Sequence, residues 1–263
     1  MLNSEWRLNM YTTFIFDFDY TLGNSTKGIE LSINYALEKL GYSTKSTDAI
    51  RKTIGLSLKE TFFALTKDDI SCGNIASSEN LKDNLKDNLK NNLKINLQNN
   101  LLKTEIEYLA DAEKFPALFK EKADTVMVDN TELYTDTKEV LQNIKSKGCK
   151  IAIVTTKFHY RIVQILEKFN ACELVDLIVG AEDVRIEKPD PEGLLWAIQH
   201  LGADKENVLY IGDSIVDAKT AENAGVDFAG VLTGTTSATE FNKYNNVFIA
   251  DNLSTLYNNF LNF

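Results

Sequence analysis

Two carboxylates stand at the end of an apolar run: Phe14-Ile15-Phe16 is followed by Asp17 and Asp19. Acids two residues apart on an extended chain point the same way. Like charges held that close repel, so a cation or a shared proton must compensate them. Further polar groups lie at the ends of later segments: Thr155 and Thr156 after Lys150–Val154, Lys188 before Pro189, and Asp213 with Asp217 after Asn207–Ile211. If the apolar runs are parallel strands, their carboxyl ends meet at one crevice. Three acids there favour a hard cation with oxygen ligands, and Mg2+ is the one expected. Thr155 and Lys188 can then bind an anion beside it. Carboxylates, a hydroxyl, an ammonium and a hard cation suit phosphoryl transfer, where catalysis is mainly positioning plus charge neutralisation.

The elements that carry these groups alternate from about residue 134 onward. Periodicity predicts helices over 136–147, 160–169, 193–201 and 215–224, with Gly148 and Gly225 as stops and Pro189 in the opening turn of the third. Strands are predicted at 150–154, 177–180, 207–211, 228–232 and 247–249, before a closing helix over 253–260. Such alternation means right-handed βαβ units and a mostly parallel, Rossmann-like α/β sheet with helices on both faces.

Between the first strand and this region the pattern is helical. Gly23-Asn24-Ser25-Thr26 reads as a turn. Ile29, Ile33, Ala36, Leu37 and Leu40 predict a helix over 26–41, and a second begins at 47 with Thr47-Asp48 as its cap. Thr53–Leu58 interrupts it and 59–65 resumes it. The expected organisation is a core domain of 10–22 and 131–263 with an inserted all-helical cap domain, 23–130, placed to act as a lid. Within the cap, about 76–103 is a low-complexity tract. Leu81, Leu85, Leu89, Leu93, Leu97 and Leu101 recur every four residues among Lys and Asn, with Asp83–Lys86 and Asp87–Lys90 as favourable pairs. A period of four drifts by about 40° per turn, so this stripe winds around a helix. The preferred reading is an expansion that lengthens a cap helix; the competing one is a partner-binding or dimerising helix.

Composition narrows the classes. Over 263 residues the hydrophobic share is 44%, enough for a full core, and the net charge is -10. That balance argues against nucleic acid as the main partner. It leaves small anions open, because they respond to the local field. Cys72, Cys149 and Cys172 are odd in number and lack metal-site spacing, which predicts reduced thiols and a cytoplasmic protein. The first ten residues carry Glu5 and Arg7, read as neither a signal peptide nor an anchor, and residues 1–9 are expected to be a dispensable extension. No apolar run of membrane-spanning length occurs, so no membrane partner is expected. The expected state is a monomer or weak homodimer acting on a small phosphorylated molecule.

In order, Asp17-Phe18-Asp19-Tyr20-Thr21-Leu22, Val154-Thr155-Thr156, Lys188-Pro189 and Gly212-Asp213-Ser214-Ile215-Val216-Asp217 resemble the four motifs of the haloacid-dehalogenase-like superfamily. The resemblance runs from Thr12 to the C-terminus, the leucine-asparagine tract excepted. Thr53-Ile54-Gly55-Leu56, Lys188-Pro189-Asp190-Pro191 and Gly230-Val231-Leu232-Thr233-Gly234 are similar to the phosphoglycolate phosphatase and β-phosphoglucomutase branch. It implies that Asp17 is the nucleophile, forming an aspartyl-phosphate, and that Asp19 is general acid and then base. It implies a Mg2+ site of Asp17, the Asp19 backbone carbonyl and Asp213, with Asp217 supporting that shell or orienting Lys188. It also implies that Thr155, Lys188 and backbone N–H groups near Phe18 and Asp19 hold the phosphoryl group, with Thr156 in support.

The implied activity is a Mg2+-dependent phosphatase for a small metabolite, phosphoglycolate-like or a sugar phosphate. A sugar phosphomutase is the alternative; a dehalogenase needs neither the second acid nor the metal. A non-catalytic protein using the leucine-asparagine tract is the reading from another class. One residue departs from the family pattern: Tyr20 stands where glycine is usual, either as a turn variant or as a phenol at the site mouth. Each motif residue also has a plainer reading. Asp17 and Asp19 can sit on a solvated edge, Thr155 can cap the following helix, Lys188 can be a surface lysine, and Asp217 can be a first-turn acid favoured by the helix dipole. His159 and His200 are expected on helix surfaces or packed. Arg51, Lys52 and Lys59 are solvated charges or, for one of them, a substrate contact.

Overall fold

Strand β1 (Thr13–Phe16) is buried along its whole length, which is why it is polar at neither alternate position of its apolar run. It lies at the middle of a six-stranded sheet in the order β5-β4-β1-β6-β7-β8. The other strands are β4 (Lys150–Val154), β5 (Leu177–Val179), β6 (Val208–Gly212), β7 (Asp227–Val231) and β8 (Phe248–Ala250), and every pairing is parallel. The structure, a computed structural model, describes residues 11–72 and 87–261, and the side chains of these apart from 68–105, 260 and 261.

The chain divides into two compact units. The sheet unit comprises the residues up to Ile29, Ile54–Ser57 and Thr125 onward. Its strands alternate sides as the pleat requires. Phe14, Phe16, Ile151 and Ile153 face α5 (Thr137–Ser146), α6 (His159–Lys168) and α9 (Leu253–Leu256) through Leu141, Ile144, Ile162, Leu166, Leu253 and Leu256. Ile15, Ala152, Val154 and Tyr210 face α7 (Glu192–Leu201) and α8 (Ile215–Ala224) through Leu194, Ala197, Ala218 and Ala221. This is the α/β sheet with helices on both faces that the alternation predicts.

The second unit, Glu30–Thr53 and Leu58–Asp124, is helical among its described residues. It holds most of α1 (Thr26–Lys39), α2 (Thr47–Arg51), α3 (Leu58–Cys72) and most of α4 (Asp87–Val126). Its core is aromatic: the Phe62 ring centroid lies 5.2 Å from that of Tyr42, edge to face, and 5.3 Å and 5.4 Å from the tilted rings of Tyr108 and Phe115. Pro116 lies inside α4. The side chains of the leucine repeat, Leu81 to Leu101, and the pairs Asp83–Lys86 and Asp87–Lys90 lie outside the described residues.

Several local readings need correction. The cap of α2 is Ser46, whose hydroxyl accepts from the Ala49 amide, not Thr47-Asp48; a residue must stand outside the helix to receive that bond. Pro191, not Pro189, precedes α7, and Pro189 follows a cis peptide after Lys188. Gly23–Asn24 is more than a turn, because it forms β2 and pairs antiparallel with β3 (Glu132–Leu133). The Thr131 hydroxyl bonds Ser25 Oγ at 2.9 Å and the Met127 carbonyl at 2.7 Å, so two stretches far apart in sequence are tied there. The closing helix spans the expected 253–260, as an α-helical turn, Leu253–Leu256, followed by a π turn, Tyr257–Leu261.

The closest approach of a glycine to backbone is at Gly180, after β5. A Cβ there would lie 2.2 Å from the His159 amide nitrogen, which opens α6 and donates to Glu182 at 2.7 Å. Gly180→Ala therefore forces backbone apart beside the β4–α6 turn. It is expected to lower the unfolding free energy by about 1–3 kcal/mol in urea titration; an unchanged midpoint would show that the turn gives way freely.

Candidate active site

The register of the sheet brings the strand-end groups together. Phe16 pairs with Ile153 on one side and Ile211 on the other. The chain leaves β1 in opposite directions, to β4 and β5 on one flank and β6 to β8 on the other, so β1 marks the topological switch point. Asp17 is next after β1, Thr155 next after β4 and Asp213 next after β6. All three are buried, as are Lys188 and Asp217.

Lys188 organises them. Its Nζ lies 2.6 Å from Asp217 Oδ1, 2.9 Å from Asp17 Oδ1 and 3.2 Å from the Tyr210 phenol. The Asp17 contact is ionic without hydrogen-bond alignment, because Asp17 Oδ1 is buried and accepts no hydrogen bond. Burial works against the lysine charge, yet Asp17 and Asp217 outweigh it and hold the ammonium well above the usual range. Burial also raises the Asp17 carboxyl from 3.8 to about 6, against the pull of Lys188 and helped by repulsion from Asp217 and Asp19. Asp213 is pushed well up, by burial first and then by Asp217 and Asp17.

Asp217 fills both of its plainer and functional readings. It is the third residue of α8, and its Oδ2 accepts from the Ser214 amide at 3.1 Å and hydroxyl at 2.6 Å, a capping box. Its Oδ1 receives Lys188 and the Tyr210 hydroxyl, the latter at 3.0 Å. Its oxygens are thus spent on the helix cap and on holding Lys188. Asp17, Asp213 and Asp217 nevertheless offer oxygens within 4.8 Å of one another. Three buried acids against one lysine leave a negative excess, and Asp17 Oδ1 lacks a hydrogen bond. A divalent cation with oxygen ligands fits that donor set. Gly234 keeps the approach to Asp213 clear, since a Cβ there would meet Asp213 Oδ2 at 1.9 Å.

The turn after β1 is tight. The Phe18 carbonyl accepts from the amides of Thr21, Leu22 and Gly23, and the Tyr20 amide donates to Gly23. The Phe18 side chain is fully buried, so only its backbone can face a ligand. Tyr20 adopts the left-handed conformation at φ 61° where glycine would be free of strain. Its ring is buried, its hydroxyl pairs with Thr26 Oγ1 at 2.8 Å, and its carbonyl accepts from the Thr233 hydroxyl. Tyr20 is therefore a packed turn residue; the reading of a phenol at the site mouth is set aside.

Thr155 does not cap α6. Its Oγ1 accepts from the Lys157 amide, while the Glu182 carboxylate accepts from the first amide of α6. Thr155, Thr156 and Lys188 line one small cavity. His159 bonds Asp183 at 2.7 Å, and His200 stacks on Trp196 at 3.6 Å. Lys59 pairs with Glu113 at 2.6 Å within the helical unit.

Two residues at this site carried no prediction. Tyr210 supplies the third partner of Lys188, two residues before Gly212. Lys157 is buried and lies 2.8 Å from Asp19 Oδ2. Its only sequence signal is its place directly after Thr155-Thr156.

A family model described as haloacid dehalogenase-like hydrolase matches residues 14–231. A phosphoglycolate phosphatase of Aquifex aeolicus (strain VF5) is 26% identical over 220 residues, covering 84% of this chain and 84% of that protein. A pyrophosphatase, PpaX, of Halalkalibacterium halodurans is 39% identical over 100 residues, which span 38% of this chain and 46% of the relative. Among solved structures, one assigned to the haloacid dehalogenase-like hydrolases from Bacteroides fragilis superposes with a TM-score of 0.76 at 38% identity, covering 94% of this chain and 99% of that one. Among the described residues, no helix is long and apolar enough to cross a membrane.

The central ion cluster should be brittle. Lys188→Met leaves Asp17 and Asp217 buried without their cation, and about 3–5 kcal/mol of stability is expected to go at pH 7.5. The loss should shrink at pH 5, where Asp17, raised to about 6, already holds its proton. Urea titrations at both pH values check this; a loss equal at the two would refute it.

Proposed function

The chain belongs to the haloacid dehalogenase-like hydrolase family, and we propose that it is a Mg2+-dependent phosphatase that hydrolyses a small phosphorylated metabolite through a covalent aspartyl-phosphate. The carrying observation is Asp17 itself: a buried carboxylate at the end of the central strand, 2.9 Å from Lys188, with Asp213 and Asp217 in one oxygen cluster. The names of the relatives point to phosphoglycolate or pyrophosphate as substrate.

In this reading Asp17, Asp213 and the Asp19 backbone carbonyl would hold Mg2+, which would supply positive charge to offset that of the transferring group. Lys188, fixed by Asp217 and Tyr210, and Thr155 bind phosphoryl oxygens, helped by the backbone N–H groups at Phe18 and Asp19. Asp17 attacks phosphorus as its bond to the leaving oxygen breaks, and Asp19 gives that oxygen a proton. Asp19 then takes a proton from water as the water attacks the aspartyl-phosphate, and Asp17 is restored. Burial keeps competing solvent away and strengthens each of these charge contacts.

The test is phosphate release with Mg2+ from a panel holding phosphoglycolate, pyrophosphate and sugar phosphates. Free phosphate is expected, and a sugar phosphate turned into its isomer would instead decide for a mutase. Asp17→Asn should remain folded and lose all turnover; retained turnover removes Asp17 as nucleophile.

Metal binding gives an independent reading. Because the Asp17 carboxyl is raised from 3.8 to about 6, a proton competes with the cation below that pH. Mg2+ should raise Tm at pH 7.5 and do so much less at pH 5. An equal shift at both pH values would place the ion elsewhere.

A further inference from the structure

We propose that Lys157 is a positioning residue for Asp19: it holds Oδ2 of that carboxylate, so that Oδ1 is the atom that exchanges protons in the reaction. The inference rests on the phosphatase reading and on Asp19 as its acid and base.

Lys157 sits in the turn between β4 and α6, and Asp19 in the turn after β1. Their contact, Nζ to Oδ2 at 2.8 Å, is nearly dry, with the two side chains 4% and 14% exposed. The remaining surroundings of the ammonium are weak partners. Met127 Sδ lies at 3.8 Å and the centroid of the Phe18 ring at 6.0 Å. A buried ammonium needs a carboxylate to offset its desolvation, and here Asp19 is that carboxylate. The pair is separate from the Lys188 set, whose partners are Asp17, Asp217 and Tyr210.

The second oxygen of Asp19 carries the argument. Oδ1 is buried and has no hydrogen-bond partner. Buried carboxylate oxygens are ordinarily satisfied, and an exception calls for a reason. One oxygen pinned and the other left without a hydrogen bond is what a proton-transfer group requires. The pinned oxygen fixes the rotamer, and the unpaired one is left for the reacting atom. In the first half-reaction the Asp17–phosphorus bond forms, the bond to the leaving oxygen breaks, and the proton on Asp19 Oδ1 moves to that oxygen. In the second, a water proton moves to Oδ1 as the water oxygen bonds phosphorus and Asp17 departs.

A positioning role differs from a purely structural one in its dependence on the leaving group. 4-Nitrophenolate leaves without a proton, whereas an alkoxide needs one. With Mg2+ present, Lys157→Met should lose about 100-fold in kcat/KM on phosphoglycolate, the scale of general acid catalysis. It should keep nearly all of its kcat/KM on 4-nitrophenyl phosphate. A burst of 4-nitrophenolate should also appear, because the second half-reaction becomes slow. Lys157→Arg should recover part of the loss. In an Asp19→Asn background, Lys157→Met should cost nothing further on phosphoglycolate, as expected for two groups acting as one.

Equal loss of kcat/KM on the two substrates would overturn the proposal, as would losses that multiply in the double variant. A rise in KM confined to substrates with a second anionic group would overturn it in favour of direct substrate contact. If Lys157→Met does not fold, Lys157→Gln is read by the same ratios. If the wild-type protein releases phosphate from neither substrate, the phosphatase reading itself falls, an outcome separable from every result on Lys157.

Discussion

The site depends on one balance of charge in a dry place. Asp17, Asp213 and Asp217 are gathered at the end of β1 with Lys188 among them. Attraction to a single ammonium cannot offset three buried carboxylates, and the raised carboxyls of Asp17 and Asp213 show the shortfall. The arrangement is bearable because the charges at its centre, Lys188 and Asp217, have defined partners. Lys188 is clamped by three partners, and Asp217 is clamped by Ser214 as well. Burial raises the energy of the acids and at the same time makes them strong ligands for a cation.

The parallel sheet makes that gathering possible. Its strands run through two apolar layers, so the chain has nowhere to place polar groups until each strand ends. With all strands parallel, those ends share one edge, and the switch of direction at β1 opens the edge where Asp17 emerges. Tyr210 is the exception that links layer to edge. Its ring packs among Ile15, Val154 and Leu194, while its hydroxyl reaches Lys188 and Asp217. The phenol is pushed well above its usual range, by burial and then by Asp217, so it stays a neutral donor.

Much of this was legible in the sequence. The strand cores, their order of occurrence and the acids after them follow from apolar runs broken by polar residues, a local signal. The helix stops at Gly148 and Gly225 are local too, and both glycines take positive φ. What escaped was set by contacts between distant stretches. The β2–β3 ribbon joins residues more than a hundred apart, and two strands of two residues have no periodicity to detect. The cap of α2 fell at Ser46, one residue before the expected Thr47, because a capping hydroxyl stands just outside the helix and helix starts are read from sequence to no better than that. Lys157 looked like any lysine at a strand end. Only the folded turn shows that its stem is buried and its ammonium aimed at Asp19.

The pair of acids that follows β1 is therefore divided between different partners. On an extended strand Asp17 and Asp19 would point the same way and repel. The strand ends at Phe16, and the Phe18 carbonyl immediately gathers three amides into a tight turn. That turn needs a left-handed residue, supplied by Tyr20, whose cost is offset by a buried ring and two hydrogen bonds. Its effect is to separate the acids by partner. Asp17 joins Lys188 and the oxygens of Asp213 and Asp217, and Asp19 joins Lys157. In the proposed reaction the nucleophile must stay ionised, whereas the proton carrier must change its charge. Giving each acid its own lysine, from different turns of the sheet edge, is a physical way to satisfy both demands two residues apart.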